Sequence, residues 1–184
     1  MPMPFAHGLL GATIVSAVHP EPTRYYGAPI LTGMILANLP DLDLITVPII
    51  HSRGWHRTLT HSLFTAVVLL LVLIFAFGRK HLREALAYGL AYMSHGLLDF
   101  ATTTMGGGVA LFSPFSWHRF RLDRFSLSEN PAKFPPDVIL KMIGWELLIF
   151  LPPLVVLLGV RIYSSKRTGS QAFTSAAGFK SNRK

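Results

Sequence analysis

The chain contains no cysteine. Disulfides are therefore excluded, as are thiolate metal sites and cysteine nucleophiles. Any metal must be held through nitrogen and oxygen. Charge is also scarce. Charged residues make up 14% of the 184 residues and hydrophobic residues 51%, whereas a soluble domain usually carries about 25% charge. With a mean hydropathy of +0.43, this deficit argues for a membrane protein. The length suits one domain or one bundle of membrane helices. There is no basic leader, and His7 interrupts the first apolar run early, so that run is not read as a signal peptide. No internal repeat is present.

What charge there is carries one dominant sign. The formal net charge is +8. Basic residues gather around Arg79 to Arg83, Arg119 to Arg124 and Arg161 to Lys184. Short basic segments of this kind suit loops flanking membrane helices. No aromatic-basic stripe accompanies them, so nucleic acid is not expected as a partner. The bilayer is. Counting positive residues favours the Arg79–Arg83 loop and the C-terminal tail on the cytoplasmic side.

The apolar segments outline an all-α, polytopic membrane bundle of about four to five helices within residues 1–163. Residues 5–18 and 28–39 are apolar but short for a full crossing, which needs about 20 residues. Residues 61–77 form the clearest membrane helix, ended by Gly78, Arg79, Lys80 and His81. Residues 82–100 return at once as an antiparallel neighbour. Residues 101–136 read as a long loop, and residues 137–160 as a last span that Pro152 and Pro153 should kink. The basic tail, 164–184, is expected to be disordered.

Seven residues within the first hundred stand out as ligands for a divalent metal: His7, Asp41, Asp43, His56, His61, His95 and Asp99. His95 and Asp99 are four apart and share a helical face. Ionisable groups in a membrane helix are costly and are functional by default. His61 lies ~27 Å above the Arg79 turn and Asp99 ~24 Å above the same turn, at 1.5 Å per residue. The LPDLD (39–43), HRTLTHS (56–62) and SHGLLDF (94–100) segments are thus expected to meet near one membrane surface, facing away from the cytoplasm. Such a nitrogen and oxygen set suits zinc, with manganese or ferrous iron as alternatives.

Each residue also has a plainer reading. His95 could bond Asp99 inside a core. Asp41 could cap a helix or form an Asx turn. His7 could serve packing as well as ligation. His56 and His61, five apart, would not share a helical face, and Thr60 is a candidate N-cap for the helix that follows. Glu146, inside the last span, is expected to face the polar cluster. It would there join Asp41 and Asp43 as a catalytic carboxylate. The alternative is pairing with a neighbouring base. His19, His51, His81 and His118 read as loop residues, with His118 near lipid headgroups. Gly106 to Gly108 could let backbone approach a ligand, with Thr102 to Thr104 adding hydroxyls, or could be a hinge. Arg119, Arg121 and Arg124 could grip a phosphate, though interfacial anchoring is the stronger reading.

Together, the early His, LPDLD, HR-x-x-x-HS and SH-x-x-x-D followed by Thr and Gly resemble the bacterial inner-membrane metal-dependent hydrolases of the YdjM type, over roughly residues 4–115. That family is distantly similar to zinc-dependent phospholipase C, an all-helical fold holding a zinc cluster. The resemblance implies His7, one of Asp41 and Asp43, one or both of His56 and His61, His95 and Asp99 as ligands. It also implies a carboxylate of the PDLD turn as the base that activates water. The pattern departs after Asp99. No His-x-x-x-Glu pair follows, since Met142 stands four residues before Glu146, and one or two ions are expected rather than three. The implied protein is a multi-pass inner-membrane hydrolase that cleaves a phosphoester or related ester of a lipid or envelope substrate. A metal-binding or ion-handling membrane protein, with Glu146 as gate, would use the same ligands without hydrolysis. A structural adaptor would need no metal at all.

Overall fold

The structure is a computed structural model that describes residues 2–20, 27–45, 53–103, 107–122 and 134–181. His51, Thr104, Gly106 and Arg124 lie outside the described residues. Among those described, five α-helices follow one another: α1 (Pro4–Val18), α2 (Gly27–Asn38), α3 (Leu63–Phe77), α4 (Leu82–Thr102) and α5 (Pro136–Ser181). No strand occurs among them. A 3-10 turn, Leu39–Ile45, extends α2, and shorter 3-10 turns cover Arg53–Trp55, Leu59–His61 and Arg79–His81.

The helix ends follow local chemistry. Pro4 opens α1, where a missing N–H costs nothing. α3 starts two residues later than its apolar run suggests. Ser62, not Thr60, is its N-cap, and the Ser62 hydroxyl accepts the Thr65 N–H at 3.1 Å. Gly78, at φ 73°, ends α3 and returns its N–H to the Ile74 carbonyl. α5 runs through Pro152 and Pro153 and on past Ser164 to Ser181, where composition alone predicts loss of order. Extending an existing helix adds one hydrogen bond per residue without a new nucleus.

Helix α1 is the hub, packed on α2, α4 and α5. Its contact with α2 is close because glycines meet. A Cβ on Gly11 would strike Gly33 backbone, and one on Gly33 would strike Val15. α3 and α4 pack along one another, and the chain turns by 120° between them.

Burial is inverted relative to a soluble domain. His7, His95, Asp99 and Glu146 are among the largest fully buried side chains, while Phe75 on α3 is 93% exposed. Leu140, Leu148, Val156 and Val160 on α5 also face outward. Apolar groups outside and polar groups inside suit a solvent of lipid. Two segments, Gly27–Ile45 and Pro136–Ser165, are long and apolar enough to cross a membrane, or three if the bent α3–α4 pair counts as one.

Candidate metal centre

Four pieces of chain deliver the predicted ligands to one place. The turn after α2 carries Asp41 and Asp43. The segment before α3 carries His56 and His61. α4 brings His95 and Asp99, and α1 brings His7. Two features of α4 seat the His61 turn. The Tyr92 hydroxyl donates to the Thr60 carbonyl at 2.7 Å. Gly96, beside His95, has no side chain to collide with the His61 carbonyl, which a Cβ there would strike. His61 and Asp99, far apart in sequence, therefore come within 3.8 Å of each other.

The imidazole protons follow from the neighbours. The Ala37 carbonyl lies 2.6 Å from His95 Nδ1. A carbonyl only accepts, so that nitrogen carries a hydrogen and His95 Nε2 is the atom turned toward the other groups. Thr60 donates its hydroxyl hydrogen to Asp43 Oδ2 at 2.7 Å, and its oxygen lies 3.0 Å from His61 Nδ1. That oxygen accepts from His61 Nδ1–H, which turns His61 Nε2 toward them as well. Asp43 Oδ1 takes the His56 Nδ1 hydrogen at 2.7 Å, and His56 Nε2 is without a hydrogen-bond partner among the described residues. Burial holds the His61 imidazole below its ordinary pKa, in the neutral form that ligates metal.

Three metal-binding atoms then converge. His61 Nε2 and His95 Nε2 are 3.0 Å apart, and Asp41 Oδ1 is 3.4 Å from each. Three such atoms this close repel unless a metal ion or a shared proton lies among them, and 3.0 Å is also the length of an N–H···N hydrogen bond. The circle through the three atoms has a radius of about 1.9 Å, close to the ~2.0–2.1 Å of zinc–nitrogen and zinc–oxygen bonds, so these three residues would be able to hold such an ion. The donor set fits a divalent metal.

Two adjoining groups can be distinguished. Asp41, His56 and His61 offer ligand atoms within 4.8 Å of one another, and so do His7, His95 and Asp99. His7 stacks on His95 with ring centroids 3.8 Å apart, and its Nε2 lies 3.5 Å from Asp99 Oδ1. Neither His7 nitrogen has a hydrogen bond among the described residues, although the side chain is fully buried. Buried polar atoms in that state are expected to hold an ion or water.

Against this geometry stands one match. A family model for the YdjM inner membrane protein covers residues 1–168. The chain belongs to the YdjM inner membrane protein family. No curated protein and no solved structure matches, and the expected likeness to phospholipase C is not shown.

The YdjM chain uses several predicted residues differently from expectation. Asp43 faces the Nδ1 side of His56 and His61, so it orients the two imidazoles rather than meeting their Nε2 atoms. Glu146 does not reach the cluster through either oxygen. Oε1 accepts the Met3 N–H and Oε2 the Ala6 N–H, which makes Glu146 a cap for α1 contributed by α5. The donors at a helix N-terminus satisfy it more cheaply than a site already holding carboxylates. Gly107 and Gly108 have φ of 81° and 84°, and Gly108 lets backbone approach the Phe120 carbonyl rather than a ligand. Arg119 donates to the carbonyls of Gly108, Gly54 and His56, so its charge ties two loops together. Thr102 donates to Leu98. His81 pairs with Glu84, and His118 is exposed beside Phe120. His19 is buried instead of lying in an open loop, with its ring near the Tyr88 hydroxyl.

Arg57 is the participant that sequence reasoning missed. Its Nε lies 3.1 Å from Asp99 Oδ2, and its side chain is almost fully buried. Its φ of 63° is left-handed, which costs an L-residue with a Cβ about 1–2 kcal/mol. The only signal was its place inside the HR-x-x-x-HS motif.

Proposed function

We propose that this YdjM-family chain is a multi-pass, membrane-bound, metal-dependent hydrolase. Its substrate would be a phosphoester or related ester of a lipid or envelope molecule. The observation that carries this reading is the triangle of His61 Nε2, His95 Nε2 and Asp41 Oδ1 at 3.0 to 3.4 Å, with both imidazoles held through Nδ1 so that Nε2 faces inward. Those three residues would hold one ion. Asp99 and His7 are placed to hold a second or to complete the first. Zinc suits the donors best, with manganese or ferrous iron next. Such a metal supplies a water of lowered pKa and charge stabilisation at the ester oxygen.

The chain's own groups do the rest. Asp43 and Thr60 fix the His56 and His61 tautomers. Asp41, 14% exposed against 9% for Asp43 and none for Asp99, is the carboxylate of the site nearest solvent, and it or Asp43 would take the proton of the attacking water. Arg57 adds a fixed positive charge beside Asp99, which favours an anionic substrate such as a phosphoester.

One observation favours a second reading. The side chains of His7, His61, His95 and Asp99 are wholly buried, and closed sites are usual for structural metals. Under that reading the ion holds the helices together or is handled without hydrolysis. The test is metal analysis of detergent-purified protein, wild type against Asp99→Ala, alongside hydrolysis of a chromogenic phosphodiester. Stoichiometric metal with turnover supports the hydrolase. Metal without turnover on phosphodiesters or carboxylic esters leaves the ion-handling reading. Absence of bound metal, even after zinc or manganese is added, ends both.

A further inference from the structure

The segment 107–122 reads in sequence as part of a long loop, yet it is tightly built. Val109 and Phe120 exchange two backbone hydrogen bonds at 2.9 Å. The Leu63 N–H donates to the Leu111 carbonyl at 2.9 Å, which ties the segment to the first residue of α3. The Ala110 N–H donates to the Arg57 carbonyl at 3.0 Å, which ties it to the ligand-bearing stretch. Arg119 closes the third side through the Gly54 and His56 carbonyls.

What this framework presents outward is apolar. Trp55 meets Trp117 edge to face at 6.1 Å, and Phe64 meets Phe115 at 5.3 Å. Trp55, Trp117 and Phe112 are at least half exposed, Phe115 is 80% exposed, and Leu59 joins them at the rim. A loop built for water turns its charge out and its rings in. Here the Arg119 guanidinium is turned onto backbone carbonyls while the rings point away. The patch is also continuous, through Phe64, with the exposed apolar side of α3 that includes Val67, Val68 and Leu71. Tryptophan pairs at the end of an apolar helix are characteristic of the headgroup level of a bilayer.

We propose that Trp55, Phe64, Phe112, Phe115 and Trp117 form an aromatic collar seated in the headgroup zone of the membrane at the α3 N-terminus. His61 stands two residues before α3, so the metal centre lies at the depth of lipid headgroups, at the opposite end of α3 from Arg79 and Lys80. If the hydrolase reading holds, on which this last step rests, the substrate is an amphiphile. Its ester enters from the bilayer while its chains stay in lipid.

The test uses proteins with one tryptophan each in phosphatidylethanolamine–phosphatidylglycerol vesicles. W55F/W145F keeps Trp117, W117F/W145F keeps Trp55, and W55F/W117F keeps Trp145 on α5 as reference. Emission is quenched with lipids brominated at shallow or deep acyl positions and with aqueous iodide. Trp117 and Trp55 should respond to shallow bromines about twofold more strongly than to deep ones, as an interfacial ring does, and be shielded from iodide. Free quenching by iodide with no response to bromolipid overturns the collar, because the face is then in water. Shielding from both quenchers also overturns it, because a protein surface then covers the face. Metal content of the same samples reports separately on the centre, so failure of the collar and failure of the hydrolase reading are distinguishable.

Discussion

Asp41, His56 and His61 come from turns, whereas His7, His95 and Asp99 come from helices. The turn group is oriented by polar neighbours: Asp43 and Thr60 hold the Nδ1 side of both imidazoles, and the Asp41 side chain keeps 14% of its surface open. The helix group is fully enclosed, and His7 has no hydrogen bond on either nitrogen among the described residues. Each buried unsatisfied polar atom costs about 1–3 kcal/mol. The turn group is therefore held in place by its own polar neighbours, and the helix group is the one whose polar atoms lack such support. If both bind metal as proposed, the difference parallels that between open catalytic sites and closed structural ones.

The largest effect should come from the helix-group residue that touches the turn group. His95 Nε2 faces His61 and Asp41 while its ring stacks on His7. His95→Ala should reduce bound metal, measured by mass spectrometry of the purified protein, by more than the ~10–100-fold typical of an outer-shell loss. A variant that keeps one full equivalent would break the comparison, because the groups would then be independent.

Next comes the orienting carboxylate. Asp43→Asn replaces a pure acceptor with a group that can also donate, which loosens the His56 and His61 tautomers. Metal affinity, read by competition with a chromogenic chelator, should fall ~10–100-fold. Loss to the degree seen in His95→Ala would instead make Asp43 a direct ligand.

How much of this was legible beforehand depends on whether a feature is local. The helices follow from apolar runs and their end residues, and the meeting of His61 with Asp99 follows from rise per residue along two adjoining helices. The spacing of His95 and Asp99 on one face was legible for the same reason. The roles of Asp43, Thr60 and Glu146 were not. Each depends on which backbone or side-chain donor lies opposite in space, and Met3 stands 143 residues from Glu146. The 107–122 segment looked like plain loop because its order comes from carbonyls elsewhere in the chain, which no periodicity announces.

Glu146 sharpens the comparison from the helix side. It holds the N-terminus of α1, the helix that carries His7. Glu146→Ala should leave the Met3 N–H without its acceptor and the Ala6 N–H with the Met3 carbonyl alone, and lower stability by about 2 kcal/mol, some 4–8 °C in thermal unfolding for a chain of this size. The turn group should keep its affinity. Equal loss from both groups would indicate that α1 positions the whole centre.

The smallest effect tests the link between the groups. Arg57 belongs to the turn segment by sequence and to the helix group by contact, since its Nε meets Asp99. It has a left-handed backbone that Ala tolerates poorly and Gly tolerates freely. Both Arg57→Ala and Arg57→Gly remove the charge, so their difference isolates the backbone. Arg57→Gly should be the more stable of the two by about 1 kcal/mol. Lost activity toward an anionic ester should be the same in both, because the charge is gone from each. If the two variants are equally stable, the left-handed turn is not a fixed feature of the site, and Arg57 is held by its charge alone. If Arg57→Gly retains activity that Arg57→Ala loses, the residue serves the shape of the turn, and the case for an anionic substrate loses its local support.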